Sequence, residues 1–157
     1  KVTTLDLSGW DTSNVTSMSG MFSSCTSLTT ITGLENLDVS KITSMNSMFS
    51  NCTSLTTLDL SGWDTSNVTD MNEMFNYCTS LTTIKGLENF NTSKVTKTIR
   101  TSNRVSSAYY KDIFTECSTK SGSSFVVNYI ESAQGTAEGM VSTKSKNSNV
   151  TLGVLIE

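Results

Sequence analysis

The chain has no histidine, few charges and no long apolar run, and each absence closes off a class of function. Histidine is the commonest general base and the commonest zinc ligand, and the four cysteines include no C-x-x-C pair. Acid/base catalysis by imidazole and zinc binding therefore lack their usual residues. Charged residues make up 16% of the 157 residues, with a net charge of −3. The few basic residues gather loosely between Lys94 and Arg104, so the clustered Lys and Arg of a nucleic-acid groove are missing. No apolar stretch approaches the ~20 residues that span a bilayer, and no signal peptide is visible. Nucleic-acid partners and direct membrane insertion are thus not expected of this segment.

Serine and threonine fill the space left, at about a third of the chain. Such a composition suits a disordered or mucin-like segment unless the apolar residues recur at fixed positions. They do recur. LDLSGWDTSNVTSMSGMFSSCTSLTT at 5–30, ITGLENLDVSKITSMNSMFSNCTSLTT at 31–57 and LDLSGWDTSNVTDMNEMFNYCTSLTT at 58–83 align, and a fourth repeat begins as IKGLENFNTSKVT at 84–96. Two versions alternate, of 26 and 27 residues, the extra residue falling between Ile31 and Ile42. The aligned columns are Val15/Ile42/Val68/Val95, Met18/Met45/Met71, Phe22/Phe49/Phe75, Cys25/Cys52/Cys78 and Leu28/Leu55/Leu81. Leu5/Ile31/Leu58/Ile84 and the large-residue column Trp10/Leu37/Trp63/Phe90 complete the set.

Within a repeat the apolar positions fall mostly three apart, which is neither a helical period nor strand alternation. It suits a coil that turns corners and sends one side chain inward from each short side. A single repeat cannot bury that row, whereas stacking makes each column continuous. A short strand is expected at L-T-T-L-D-L-S, a second strand or bend at N-V-T-x-M, and a helical or 3₁₀ turn at M-F-x-x-C. D-T-S-N reads as a turn held by its own side chains.

The pattern N-V-T-x-M-x-x-M-F-x-x-C-x-x-L-x-x-L-D-L-S-x-W-D-T-S, carried by residues 1 to about 96, resembles the BspA-like leucine-rich repeat surface proteins of many bacteria, mycoplasmas among them, and of some mucosal protozoa. The resemblance implies cell-surface, extracellular display and adhesion to host or microbial partners, protein or glycan, and names no ligand. The expected fold is a β-rich solenoid of leucine-rich-repeat type, with parallel short strands and one short helical turn per coil, over residues 1–120. A C-terminal antiparallel β cap is expected over 121–157, because an open array end exposes strand backbone and apolar side chains. Ile113-Phe114-Thr115-Glu116-Cys117 repeats M-F-x-x-C thirteen residues late, which places an insertion near 97–108 or makes the last coil an irregular cap. Val2 aligns with Leu28 and Leu55, so the chain starts within a repeat and further repeats are expected upstream.

Candidate chemistry is sparse. The cysteine column is read as free thiols behaving as small hydrophobes, since stacked coils hold their Cβ vectors parallel. Asp11, Asp38 and Asp64 suit turn chemistry better than a calcium ladder. Asn14, Asn51, Asn67, Asn91 and Asn149 begin N-x-S/T sequons, four of them generated by the repeat itself. The remaining candidate is the outward side of the strands, where Thr30, Thr32, Thr57, Asp59, Ser61, Thr83 and Lys85 align as a polar, hydroxyl-rich face. It is either a binding surface or the polar exterior that any repeat array needs. No cofactor, metal or catalytic role is expected. The leading expectation is a non-catalytic surface-binding module; the rival is a structural spacer or a virion or surface-fibre component presenting a neighbouring domain.

Overall fold

The computed structural model describes residues 1–91, 94 and 95, and the strands 125–130 and 150–156. The insertion near 97–108, Cys117, Asn149 and most of the expected cap lie outside the described residues. The described part is β-rich and built from short parallel pairs. Strand β1 (Thr4–Asp6) pairs with β2 (Thr30–Thr32), and β3 (Thr57–Asp59) pairs with β4 (Thr83–Lys85), in the register the alignment requires: Leu5 opposite Ile31, and Leu58 opposite Ile84.

On the opposite flank of each repeat the contact runs through all three full copies. Isolated parallel bridges join Ser17 to Ser44 and Ser44 to Asp70. Amides of the M-F-x-x-C segment donate across: Phe22 N–H to the Met48 carbonyl and Phe49 N–H to the Met74 carbonyl, both at 2.9 Å. These bonds satisfy backbone groups that a short, irregular side would otherwise leave bare.

The columns form one core. Ile42, Met45, Phe49, Cys52 and Leu55 of the second repeat are fully buried, as are Val68, Met71, Phe75, Cys78 and Leu81 of the third. Phe22, Phe49 and Phe75 stack face to face, with ring centroids 5.4 and 5.7 Å apart, close to the spacing of adjacent strands. Burying one such ring contributes about 1.5–3 kcal/mol, so the repeated column outweighs what any one coil could supply.

Three local features differ from expectation. The M-F-x-x-C segment is a run of hydrogen-bonded turns, not a helical turn. Ser24, Asn51 and Tyr77, each just before the column cysteine, have φ of 62°, 64° and 56°, and the positions four residues earlier hold Gly20, Ser47 and Glu73 at 67°, 53° and 55°. Left-handed residues at that spacing stop a right-handed helix from propagating. The 3₁₀ turns lie instead at Leu34–Asn36 and Leu87–Asn89, in the 27-residue version alone among the described residues.

Gly33 and Gly86, both with positive φ, start those turns, and Gly33 is the extra residue of its repeat. A Cβ on Gly33 would lie 2.5 Å from the Ser8 nitrogen, so only glycine lets the turn close onto the neighbouring repeat. Finally, β5 (Phe125–Ile130) and β6 (Val150–Ile156) pair in parallel, where antiparallel pairing was expected.

Strands β2 and β3 are not hydrogen-bonded to each other. At that junction the 3₁₀ turn of the second repeat intervenes. The Trp63 indole N–H donates to the Leu34 carbonyl at 2.8 Å, and Gly62 sits so close to the Glu35 carbonyl oxygen that a side chain there would overlap it. Strand pairs thus join repeat one to two and three to four, while a buried tryptophan joins two to three.

Candidate functional site

The strand face occurs as two patches, one on each strand pair. In the first, Thr4 lies opposite Thr30 and Asp6 opposite Thr32. Asp6 accepts the Ser8 amide at 2.9 Å and the Thr32 hydroxyl at 3.3 Å. In the second, Thr57 lies opposite Thr83 and Asp59 opposite Lys85. Asp59 accepts the Ser61 amide at 3.2 Å and the Ser61 hydroxyl on the same oxygen, while its other oxygen takes the Lys85 ammonium at 3.1 Å. Lys85 is largely exposed, so this ion pair contributes little, about 0–1 kcal/mol. Thr30, Thr32, Thr57, Ser61, Thr83 and Lys85 are exposed and Asp59 is partly so. The seven residues singled out in the sequence are therefore brought to two strand pairs, and no strand hydrogen bond links Thr30–Thr32 to Thr57–Asp59.

Electrostatics follow the hydrogen bonds. The Ser8 amide, then its hydroxyl, hold Asp6 below the usual carboxylate range, and the Ser61 hydroxyl leads the effects that lower Asp59. In both, hydrogen bonds to the charged carboxylate favour its ionised form. Asp11, Asp38 and Asp64 repeat the theme at the D-x-S turn, accepting the amides of Ser13, Ser40 and Ser66 at 3.0, 2.9 and 3.0 Å. Their carboxyls are lowered too, by the hydrogen bonds of those serines.

The hydroxyls divide into two populations that composition does not separate. Many are spent between repeats. Thr29 and Thr82 donate to the carbonyls of Thr3 and Thr56 at 2.9 and 3.0 Å, Thr43 and Thr69 to Thr16 and Thr43 at 3.2 and 3.0 Å, and Ser54 and Ser80 to Thr26 and Thr53 at 2.7 Å. Thr4, Thr30, Thr57 and Thr83, on the strands themselves, have exposed hydroxyls with no side-chain partner among the described residues. Sequence reasoning singled out the strand residues and assigned no hydrogen bonds to the hydroxyls beside them. The signal that separates them is position: the bonded threonines sit one residue before the strand or in the corners.

The sequon asparagines also have structural work. Asn67 donates to the Ser40 carbonyl at 2.7 Å and accepts Lys94 at 2.6 Å, and Asn14 accepts Lys41 at 3.3 Å. The three described cysteines are free thiols: Cys52 and Cys78 are buried and donate to the Phe22 and Phe49 carbonyls, each at 3.1 Å, whereas Cys25 is half-buried. Burial pushes the Cys52 thiol up to about 12. Among the described residues no group of His, Cys, Asp or Glu could hold a metal ion, and no helix is long and apolar enough to cross a membrane.

The chain belongs to the family described as Mycoplasma protein of unknown function, DUF285, whose pattern matches residues 1–117. No curated protein and no solved structure matches it.

Proposed function

We propose that this family member is a solenoid of leucine-rich-repeat type serving as a non-catalytic, extracellular surface-binding module, with the strand face as its contact region. The family is associated with BspA-like surface proteins, which fits the resemblance carried by the repeat. The observation that carries the reading is the two exposed pairs Thr4/Thr30 and Thr57/Thr83, whose hydroxyls are left over when the threonines beside them are spent on neighbouring repeats. Two patches of donors and acceptors, edged by Asp6 on one and by Asp59 and Lys85 on the other, suit a glycan or an extended peptide on a host or microbial surface.

The test is binding of the purified chain to a glycan array and to immobilised host and microbial surface proteins. Retention should fall about tenfold or more, a loss of about 1.4 kcal/mol, in Thr57→Arg/Thr83→Arg with the thermal midpoint unchanged. Absence of retention on every surface, or retention indifferent to the substitutions, contradicts the reading. A spacer or surface-fibre role is the second reading. It is favoured by the verbatim recurrence of TTLDLSGWDTSNVT at 3–16 and 56–69, since a unit copied so closely is suited to changes in array length.

A further inference from the structure

Residues 3–30 and 56–83 align over 28 positions and differ at five, all of them within 17–24 of the first copy and 70–77 of the second. Ser17, Ser19, Gly20, Ser23 and Ser24 give way to Asp70, Asn72, Glu73, Asn76 and Tyr77. None of these ten residues is buried. The buried columns are unchanged, and so are the outward strand residues Thr4/Thr57, Asp6/Asp59 and Ser8/Ser61. The backbone beneath the five positions is shared. The Gly20 and Ser24 amides donate to the Asn46 and Ser50 carbonyls at 2.8 and 2.7 Å, and the Ser47 and Asn51 amides to Asn72 and Asn76 at 2.8 and 2.7 Å. Divergence between the two copies is therefore confined to side chains on one flank of a fixed frame.

These changes do not serve the fold. Glu73 and Tyr77 hold left-handed backbone, at φ of 55° and 56°, where the first repeat has Gly20 and Ser24, and long side chains are strained there. Tyr77 is 47% exposed. The Asn76 side-chain oxygen is buried and has no hydrogen-bond partner among the described residues, an arrangement that costs stability. Strain and an unmet acceptor in one segment point to a use outside the fold. The segment offers two carboxylates, an aromatic ring and that free acceptor, with no Lys or Arg from Asn67 to Ile84.

We propose that this flank of the third repeat is a second interaction surface, which takes an arginine side chain of an extended basic peptide. A guanidinium carries donors only, which suits the Asp70 and Glu73 carboxylates and the Asn76 oxygen. Its plane stacks on an exposed ring such as that of Tyr77. The first and second repeats hold neither a charge nor a ring at these five positions, so the third stands apart among the three full copies. The surface is independent of the strand face and of what binds there.

The test titrates a fluorescein-labelled peptide of alternating glycine and arginine into the whole chain, by anisotropy at about 0.15 M salt, with lysine and citrulline counterparts. Asp70→Ser/Asn72→Ser/Glu73→Gly/Asn76→Ser/Tyr77→Ser restores a segment the chain already folds in its first repeat, and should weaken binding about tenfold or more. Placing the five third-repeat residues in the first copy of that reverted protein should recover the binding. Thr57→Ala/Thr83→Ala on the strand face should leave it unchanged. So should Asp11→Asn/Asp64→Asn, which removes as many carboxylates elsewhere. The citrulline peptide should not bind, and the lysine peptide should bind several-fold more weakly than the arginine peptide. The proposal is overturned if the unaltered chain does not bind the arginine peptide, or if Asp11→Asn/Asp64→Asn weakens binding as much as the reversion. It is overturned as well if lysine or citrulline serves equally, or if the regrafted protein keeps its thermal midpoint and binds nothing.

Discussion

Residues 3–16 and 56–69 have the same sequence and different surroundings. In the first copy Trp10 is exposed, Leu5 and Val15 are only partly buried, and Gly9 faces open space; in the second Trp63, Leu58 and Val68 are buried and Gly62 lies against the Glu35 carbonyl. Their local geometry is shared: Ser8 and Ser61 amides bond Asp6 and Asp59, and Ser13 and Ser66 amides bond Asp11 and Asp64. The string therefore sets its own turns, while its burial is conferred by the repeat that precedes it. This is the nearest-neighbour behaviour of repeat arrays seen within one chain.

The largest break in the comparison comes from tryptophan. Trp63→Ala removes a buried ring, its stack on Phe90 at 6.4 Å and the bond to Leu34, and should cost about 3–5 kcal/mol in urea denaturation. Trp10→Ala should stay within about 0.5 kcal/mol. Next is glycine: Gly62→Ala forces the second and third repeats apart and should cost about 1–3 kcal/mol by the same measurement, while Gly9→Ala should be near neutral. Equal effects within either pair would remove the distinction between the copies.

A smaller effect has the opposite sign. Glu73 holds the left-handed conformation that Gly20 holds in the first repeat. Glu73→Gly relieves about 1–2 kcal/mol of backbone strain, less the extra chain entropy of glycine, and should raise stability by about 0.5–1 kcal/mol.

The smallest effect per group is the pH response, and there the two copies should agree. Asp6, Asp11, Asp59 and Asp64 are all lowered from an ordinary value of 3.8 by hydrogen bonds to a serine two residues on. As pH falls into the ordinary carboxylate range the unfolded chain takes up protons first, so stability is present above that range and lost as pH falls through the folded values. The thermal midpoint should be flat above about pH 5 and decline below about pH 4, and carbon-13 titration should place Asp11 and Asp64 on the same side of the ordinary value.

The buried columns were legible because stacking demands them: nothing but a shared interior explains why Met45, Phe49, Cys52 and Leu55 recur with their counterparts at fixed spacing. The register Thr57 opposite Thr83 and Asp59 opposite Lys85 followed from the same alignment. What escaped the sequence depends on conformation that residue identity does not encode. Ser24, Asn51 and Tyr77 share a left-handed backbone while sharing no chemistry, so the turns at M-F-x-x-C read as helix. The role of Gly33 in placing the 3₁₀ turn at Leu34–Asn36, and with it the missing pairing of β2 and β3, came from a single inserted residue. At the strand face the residues were legible and the state of their hydroxyls was not, because Thr29 and Thr30 are the same amino acid one position apart and only the Thr29 hydroxyl bonds the neighbouring repeat.

The central claim, that each repeat is completed by hydrogen bonds from its neighbours, is open to direct observation. Through-hydrogen-bond couplings in the deuterated protein should correlate the amide nitrogen of Phe22 with the carbonyl carbon of Met48, and that of Phe49 with Met74. Couplings confined to carbonyls within each amide's own repeat would contradict it.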